Sequence, residues 1–126
     1  MRKSDTTIPL MLVMALVFLI AEAFLLCFTP ETVEARTFKA TAYCGCRKCN
    51  GKWTGQPTAS GTNYEAGRTI AVDPDQIPLG THVWINGHEY IAEDTGYGIG
   101  WDRVDIYFDN HKDALDFGVR KVNVEW

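Results

Sequence analysis

Six short strand-like runs lie along the chain from residue 37 onward, and they leave little choice of fold. The runs lie at residues 37–43, 69–72, 82–85, 88–92, 104–108 and 119–126. The first and last alternate with period two, which sends successive side chains to opposite faces; the second is a short apolar run and the rest are short runs bounded by turns, so all six read as strands. Asn86-Gly87 joins the third and fourth runs and is the strongest short hairpin signal. Asp73-Pro74 stops the second run, and Ile77-Pro78-Leu79-Gly80 reads as a turn. Residues 110–117 read instead as a short helix, with Asn110 as its cap, Asp113 at the capping-box position and Gly118 as its stop. Residues 44–67, rich in Gly, Thr, Asn and Lys, read as one long loop of the functional or disordered kind. Six short strands and one short helix predict an all-β domain. A small closed β-barrel suits them, because closure removes exposed strand edges.

The start of the chain is different in kind. Arg2 and Lys3 precede an apolar run over residues 8–28, broken only by Pro9 and Glu22, and a polar stretch then ends in Val33-Glu34-Ala35. A positive start, an apolar centre and a small-residue site make residues 1–35 a signal peptide cleaved after Ala35, or an uncleaved N-terminal membrane anchor. Cys27 does not suit lipid attachment, because Leu25 and Leu26 precede it where a small residue is needed. Either way residues 36–126 face outward as a single domain. That domain carries ten Lys and Arg against twelve Asp and Glu, and only Arg47-Lys48 clusters basic charge. Such a balance exerts no pull on nucleic acid. A domain of this size buries a modest core, so cross-links would help it.

Cys44, Cys46 and Cys49 form a Cys-x-Cys-x-x-Cys cluster. In an exported protein, Cys44–Cys49 or Cys46–Cys49 are the disulfide candidates, and the odd count leaves one thiol over. A metal site would need a fourth ligand from His82, His88 or His111. The spacing alone is a weak metal signal, and neither metal nor cofactor is expected.

Three aspartates stand at strand ends or turns: Asp73, Asp94 and Asp105. Asp before Pro, and Asp-Thr-Gly, are ordinary turn chemistry. Asp105 is different, because it lies between Val104 and Ile106 inside a strand, where Asp is depleted. Alternation points it away from its neighbours, and a buried Asp must be bonded or protonated. Gly96, Gly98 and Gly100 would let a backbone approach a ligand closely, or would simply make a bulged hairpin. Tyr43, Trp53, Tyr97, Trp101 and Tyr107 lie near these loops, as sugar platforms or as core. Asp94-Thr95-Gly96 also invites an aspartic protease reading. That chemistry needs a second carboxylate from a dimer, and Tyr97 replaces the small residue usual after the motif.

Several motifs in fixed order carry a more specific signal. They are Thr69-Ile70-Ala71-Val72-Asp73-Pro74, Ile77-Pro78-Leu79-Gly80-Thr81, Ala92-Glu93-Asp94-Thr95-Gly96 and Arg103-Val104-Asp105-Ile106-Tyr107, with Thr58-Ala59-Ser60-Gly61 upstream. In these the chain resembles the 3D (Asp-Asp-Asp) domain family, whose three aspartates would be Asp73, Asp94 and Asp105. That family is similar to the catalytic core of membrane-bound lytic transglycosylase A, a double-psi β-barrel enzyme. The resemblance implies cleavage of the MurNAc–GlcNAc bond of peptidoglycan, at the cell wall or the outer face of the cytoplasmic membrane. It implies Asp105 as general acid and base, Asp94 as its close partner and Asp73 in support. Thr95, Gly96, Tyr97, Thr58 and Ser60 are the candidates for binding sugar. Asp102 is a fourth acid, placed to raise the pKa of Asp105. The expected partner is the glycan strand, met by a monomer whose N-terminal segment contacts membrane.

Overall fold

The structure, a computed structural model, describes residues 9–27 and 35–126. The stretch at 28–34, which leads into the expected cleavage site, lies outside the described residues. The chain divides into two compact units, Met1–Thr32 and Val33–Trp126.

The first unit contains helix α1, Leu10–Cys27. It starts directly after Pro9, whose fixed φ suits a helix entry and whose carbonyl accepts from the amide of Leu12. Eighteen residues at about 1.5 Å each reach about 27 Å. Among the described residues no helix is long and apolar enough to cross a membrane.

The second unit holds six strands: β1 Arg36–Cys44, β2 Thr69–Ala71, β3 His82–Ile85, β4 His88–Asp94, β5 Arg103–Phe108 and β6 Arg120–Glu125. They pair in the order β1-β5-β2-β4-β3-β6 and β6 returns to β1, so the sheet is closed. The pairs β1–β5 and β2–β4 are parallel, and the other four are antiparallel. Exchanging β1, β2 and β3 for β4, β5 and β6 maps this set of pairings onto itself. The barrel is therefore two interlocked halves of three strands each.

The alternation read from the sequence sets which side chains fill the barrel. Phe38 and Ala40 of β1, Val83 and Ile85 of β3, Val104 and Ile106 of β5, and Val122 and Val124 of β6 point inward with Ile70 and Ala92. Burying a Val, Ile or Phe side chain stabilises a fold by about 1.5–3 kcal/mol, so these positions hold the barrel shut. The Asn86-Gly87 turn has positive φ at both residues, 49° and 83°, as a two-residue hairpin of matching twist requires.

Helix α3, His111–Phe117, lies where the cap signals put it. Asn110 accepts from the amide of Asp113 at 2.9 Å, and Gly118 takes a positive φ at the stop. The expected loop 44–67 departs from prediction. It contains a short helix α2, Arg47–Asn50, and a 3₁₀ turn, Gly51–Trp53. Amides of Cys49 and Asn50 close onto the carbonyl of Cys46, which folds the cysteine segment back on itself.

Candidate functional site

Ala71 is the geometric centre of the site. On one side it pairs with Asp105 of β5, and on the other with Asp94 of β4. Two strand spacings separate the acids, about 10 Å between their backbones. The methyl of Ala71 leaves the space between them open to a ligand.

Two local devices turn both acids to the same outer face. Val104 and Ile106 point into the barrel, so Asp105 between them points out, beside its register partner Thr41. On β4 the register slips: Ile70 pairs with Ala92, but Ala71 pairs with Asp94, and Glu93 is the extra residue. Strict alternation would aim Asp94 inward with Ala92. The bulge re-aims it outward, as bulges commonly do beside functional sites.

Asp94 is buried and well held. Its Oδ2 accepts from the Tyr43 hydroxyl at 2.8 Å and its Oδ1 from the amide of Ala59 at 3.0 Å. Burial of Tyr43 beside this carboxyl pushes its phenol far above the ordinary range, so it stays a donor. Next to it, the displaced Glu93 is buried and accepts from Thr69 Oγ1 at 2.7 Å and from Arg68 Nε at 3.2 Å. That ion pair pins the bulge.

Asp105 is half-buried and has one neutral donor, Thr41 Oγ1, at 2.8 Å from its Oδ1. Its pKa is raised above the ordinary carboxylate value. Loss of solvent is the main cause, and Asp94 adds to it by like charge, against the Thr41 bond and the Arg103 charge. Asp105 keeps an oxygen free of protein donors and has a raised affinity for a proton, as an acid–base catalyst needs.

A cavity of about 300 Å³ runs past both carboxyls and is lined also by Tyr43, Ala71, Ile99 and Arg103. A larger hollow of about 710 Å³ adjoins it at Asp94, Thr95, Gly96 and Tyr97, and reaches Trp53, Pro57, Thr58 and Tyr64. The two share Asn50 and the 94–97 segment and form one groove. The aromatics divide between two roles. Tyr43, Tyr64 and Tyr107 pack on one another, with Tyr64 stacked on Tyr107 at 4.9 Å, and Tyr43 and Tyr64 line the groove. Trp53 and Tyr97 are exposed on the groove rim, and Trp101 is exposed without lining either cavity.

The remaining predicted residues fare unequally. Thr95, Gly96 and Tyr97 line both cavities. Thr58 lines the larger one, but its hydroxyl is already shared with Thr62 at 2.8 Å. Ser60 is exposed and lines neither, and its amide is bonded to the carbonyl of Glu93. The 58–60 segment thus supports Asp94 and β4 through its backbone. Asp73 also lines neither cavity, and its Oδ1 accepts from the amide of Asp75 in a turn. Asp102 does not act on Asp105. It is turned to Gln76, whose Nε2 donates to it at 3.0 Å.

Among the lining residues that were not singled out from sequence, Asn50 and Arg103 carry polar chemistry. Asn50 Nδ2 and Arg103 Nε are buried donors that meet no acceptor among the described residues. Both suit a ligand rich in hydroxyl and carbonyl oxygens. The only sequence sign was their place beside the cysteine cluster and beside Asp105.

Among the described residues the clustered cysteines are not bridged. Cys44, Cys46 and Cys49 are all free, and the Cys44 and Cys49 sulfurs are 3.5 Å apart where a disulfide needs about 2.05 Å. All three face His111, whereas His82 bonds Glu89 and His88 meets the carbonyl of Gly67.

Residues 68–126 match the model of the 3D domain. The chain is 35% identical over 100 residues to the putative cell wall shaping protein YabE of Bacillus subtilis (strain 168), covering 75% of this chain and 23% of the relative. It is 34% identical over 99 residues to the cell wall-binding protein YocH of the same organism, covering 75% and 33%. It therefore spans a third or less of the length of these two relatives. Among solved structures, a lytic transglycosylase, LtgG, of Burkholderia pseudomallei aligns at 30% identity and a TM-score of 0.44, over 56% of this chain and 27% of that one. MltA from E. coli aligns at 22% identity and a TM-score of 0.46, over 54% and 26%.

Proposed function

We propose that this chain, which carries a 3D domain over residues 68–126, is an exported enzyme that cleaves the glycan strands of peptidoglycan. Its relatives named for shaping and binding the cell wall support the substrate class. The observation that carries the reading is the pair Asp94 and Asp105, set either side of Ala71 in one groove and unequal in their bonding. The self-mapping pairing of the two barrel halves supports a double-psi arrangement.

The proposed reaction is that of a lytic transglycosylase. Asp105, protonated, donates to the glycosidic oxygen between MurNAc and GlcNAc, and that bond breaks through an oxocarbenium-like state. The Asp105 carboxylate then takes the proton from the C6 hydroxyl of MurNAc, whose oxygen closes on C1 as a 1,6-anhydro ring. One carboxyl serves as acid and then as base, so its pKa must lie between the ordinary value and working pH. Loss of solvent raises it, and Asp94 adds to this by like charge. Arg103 Nε and Asn50 Nδ2 are the proposed contacts to sugar oxygens, with Thr95, Gly96 and Tyr97 along the rim. Asp73 acts from outside the groove, through the turn it closes. Residues 1–35 act as leader or anchor, and the enzyme works as a monomer at the wall.

Mass spectrometry of products from purified peptidoglycan tests the reading. Anhydro-MurNAc ends are the expected result. Reducing ends would make the protein a hydrolase. Retention on the wall without release would make it a binding module, a role the name of one relative favours.

A further inference from the structure

The three thiols and the imidazole lie outside the proposed chemistry, yet they converge. Sγ of Cys44, Cys46 and Cys49 and Nδ1 of His111 all lie within 4.8 Å of one another. Four donors on a tetrahedral Zn²⁺, with Zn–S of about 2.3 Å and Zn–N of about 2.0–2.1 Å, would stand about 3.8 Å apart for S–S and about 3.6 Å for S–N. The sulfur-to-nitrogen distances are 3.8, 3.6 and 3.3 Å, and Cys44 to Cys49 is 3.5 Å. A disulfide would use two of these groups at about 2.05 Å and leave the other two without purpose.

We propose that Cys44, Cys46, Cys49 and His111 form a structural zinc site. The three cysteines lie within one short stretch at the end of β1 and in the turn of α2, and His111, the first residue of α3, is at least 62 residues away. Four coordinate bonds would tie this stretch to α3. Thiolate and imidazole donors select zinc over the hard cations Mg²⁺ and Ca²⁺. Four protein ligands fill the tetrahedron, so the ion has no open position and takes no part in bond cleavage. Its work is mechanical. Cys49 and Asn50 line both cavities, so the ion holds the groove wall that faces Asp94. This inference stands apart from the glycan reading and survives its failure.

The test is elemental analysis of the purified full chain, with titration by Co²⁺ alone and then by Zn²⁺ alone after reduction. One zinc per chain is expected. Co²⁺ should give the thiolate charge-transfer band and intense visible bands of a tetrahedral site, bleached by Zn²⁺. Cys46→Ser and His111→Ala should lose the metal. His111→Cys should keep it at one per chain, which separates ligation from misfolding. No uptake of either ion by the reduced chain would overturn the proposal. So would an intact mass two hydrogens lighter, with the bridge mapped inside the cluster and no metal bound once it is reduced.

Discussion

Asp105→Asn removes a charge and keeps the shape, which makes it the most informative single change. The Thr41 bond would pass from a charged to a neutral acceptor, from about 1.5–3 to about 0.5–1.5 kcal/mol, a loss near 1 kcal/mol. Loss of solvent and repulsion from Asp94 act the other way, and in the parent they outweigh Thr41 and Arg103, because the Asp105 pKa is raised. A raised carboxyl contributes its stability below the unfolded pKa, about 3.9, and loses it as pH climbs through the folded value. At pH 7 the parent therefore carries a cost that Asn does not. The variant should melt at or above the parent, by at most about 4–8 °C if the net gain reaches about 1 kcal/mol. The difference should shrink toward pH 3, where the parent Asp is protonated in both states. Release of soluble muropeptides should fall by about 10²–10⁴, the usual worth of a general acid–base group. Melting curves from pH 3 to 8 and a release assay on the same samples read both effects. A variant that melts lower at pH 7, with the gap widening as pH rises, would show that the carboxylate serves structure. Unchanged release would remove Asp105 from the chemistry.

Tyr43→Phe has the opposite profile: it strips a donor from buried Asp94 and should cost about 1.5–3 kcal/mol in urea unfolding. A cost under about 0.5 kcal/mol would mean that water replaces the hydroxyl at no loss. Asp73→Asn keeps the acceptor that the turn to Asp75 uses, so release should stay within a few-fold of the parent; a loss like that of Asp105→Asn would bring Asp73 into the groove chemistry. Asn110→Ala removes the α3 cap and should cost about 1 kcal/mol. Because His111 opens that helix, the same variant should bind Co²⁺ more weakly than the parent, and unchanged affinity would show that α3 is held by other contacts.

What could be read from the sequence was local. The strand at 82–85, the Asn86-Gly87 turn and the Asn110 cap depend on neighbours within four residues, and they appear within a residue or two of prediction. Asp105 was legible for the same reason, since two apolar neighbours in a strand dictate which way it points. Contacts across long separations were not. Tyr43 and Asp94 are 51 residues apart, and Cys49 and His111 are 62 apart. Nothing in either segment announces the other. The bulge at Glu93 was hidden as well, because a register slip belongs to a pair of strands and Ala92-Glu93-Asp94 reads the same with or without it. The cysteine cluster could be read with three histidines as alternative fourth partners, and only the folded chain singles out His111 of α3.

The interlocked halves bear on how the groove comes into being. Only β3 and β4 pair across a two-residue connection; the other five pairings close loops of many residues, which is slow and happens together or not at all. Asp94 reaches Ala71 through one parallel pairing, and Thr41 reaches Asp105 through the other. A partly folded chain, with the hairpin formed and the ring open, has neither neighbour in place. A protein proposed to cut the wall is thus born inert, and folding itself is the step that arms it.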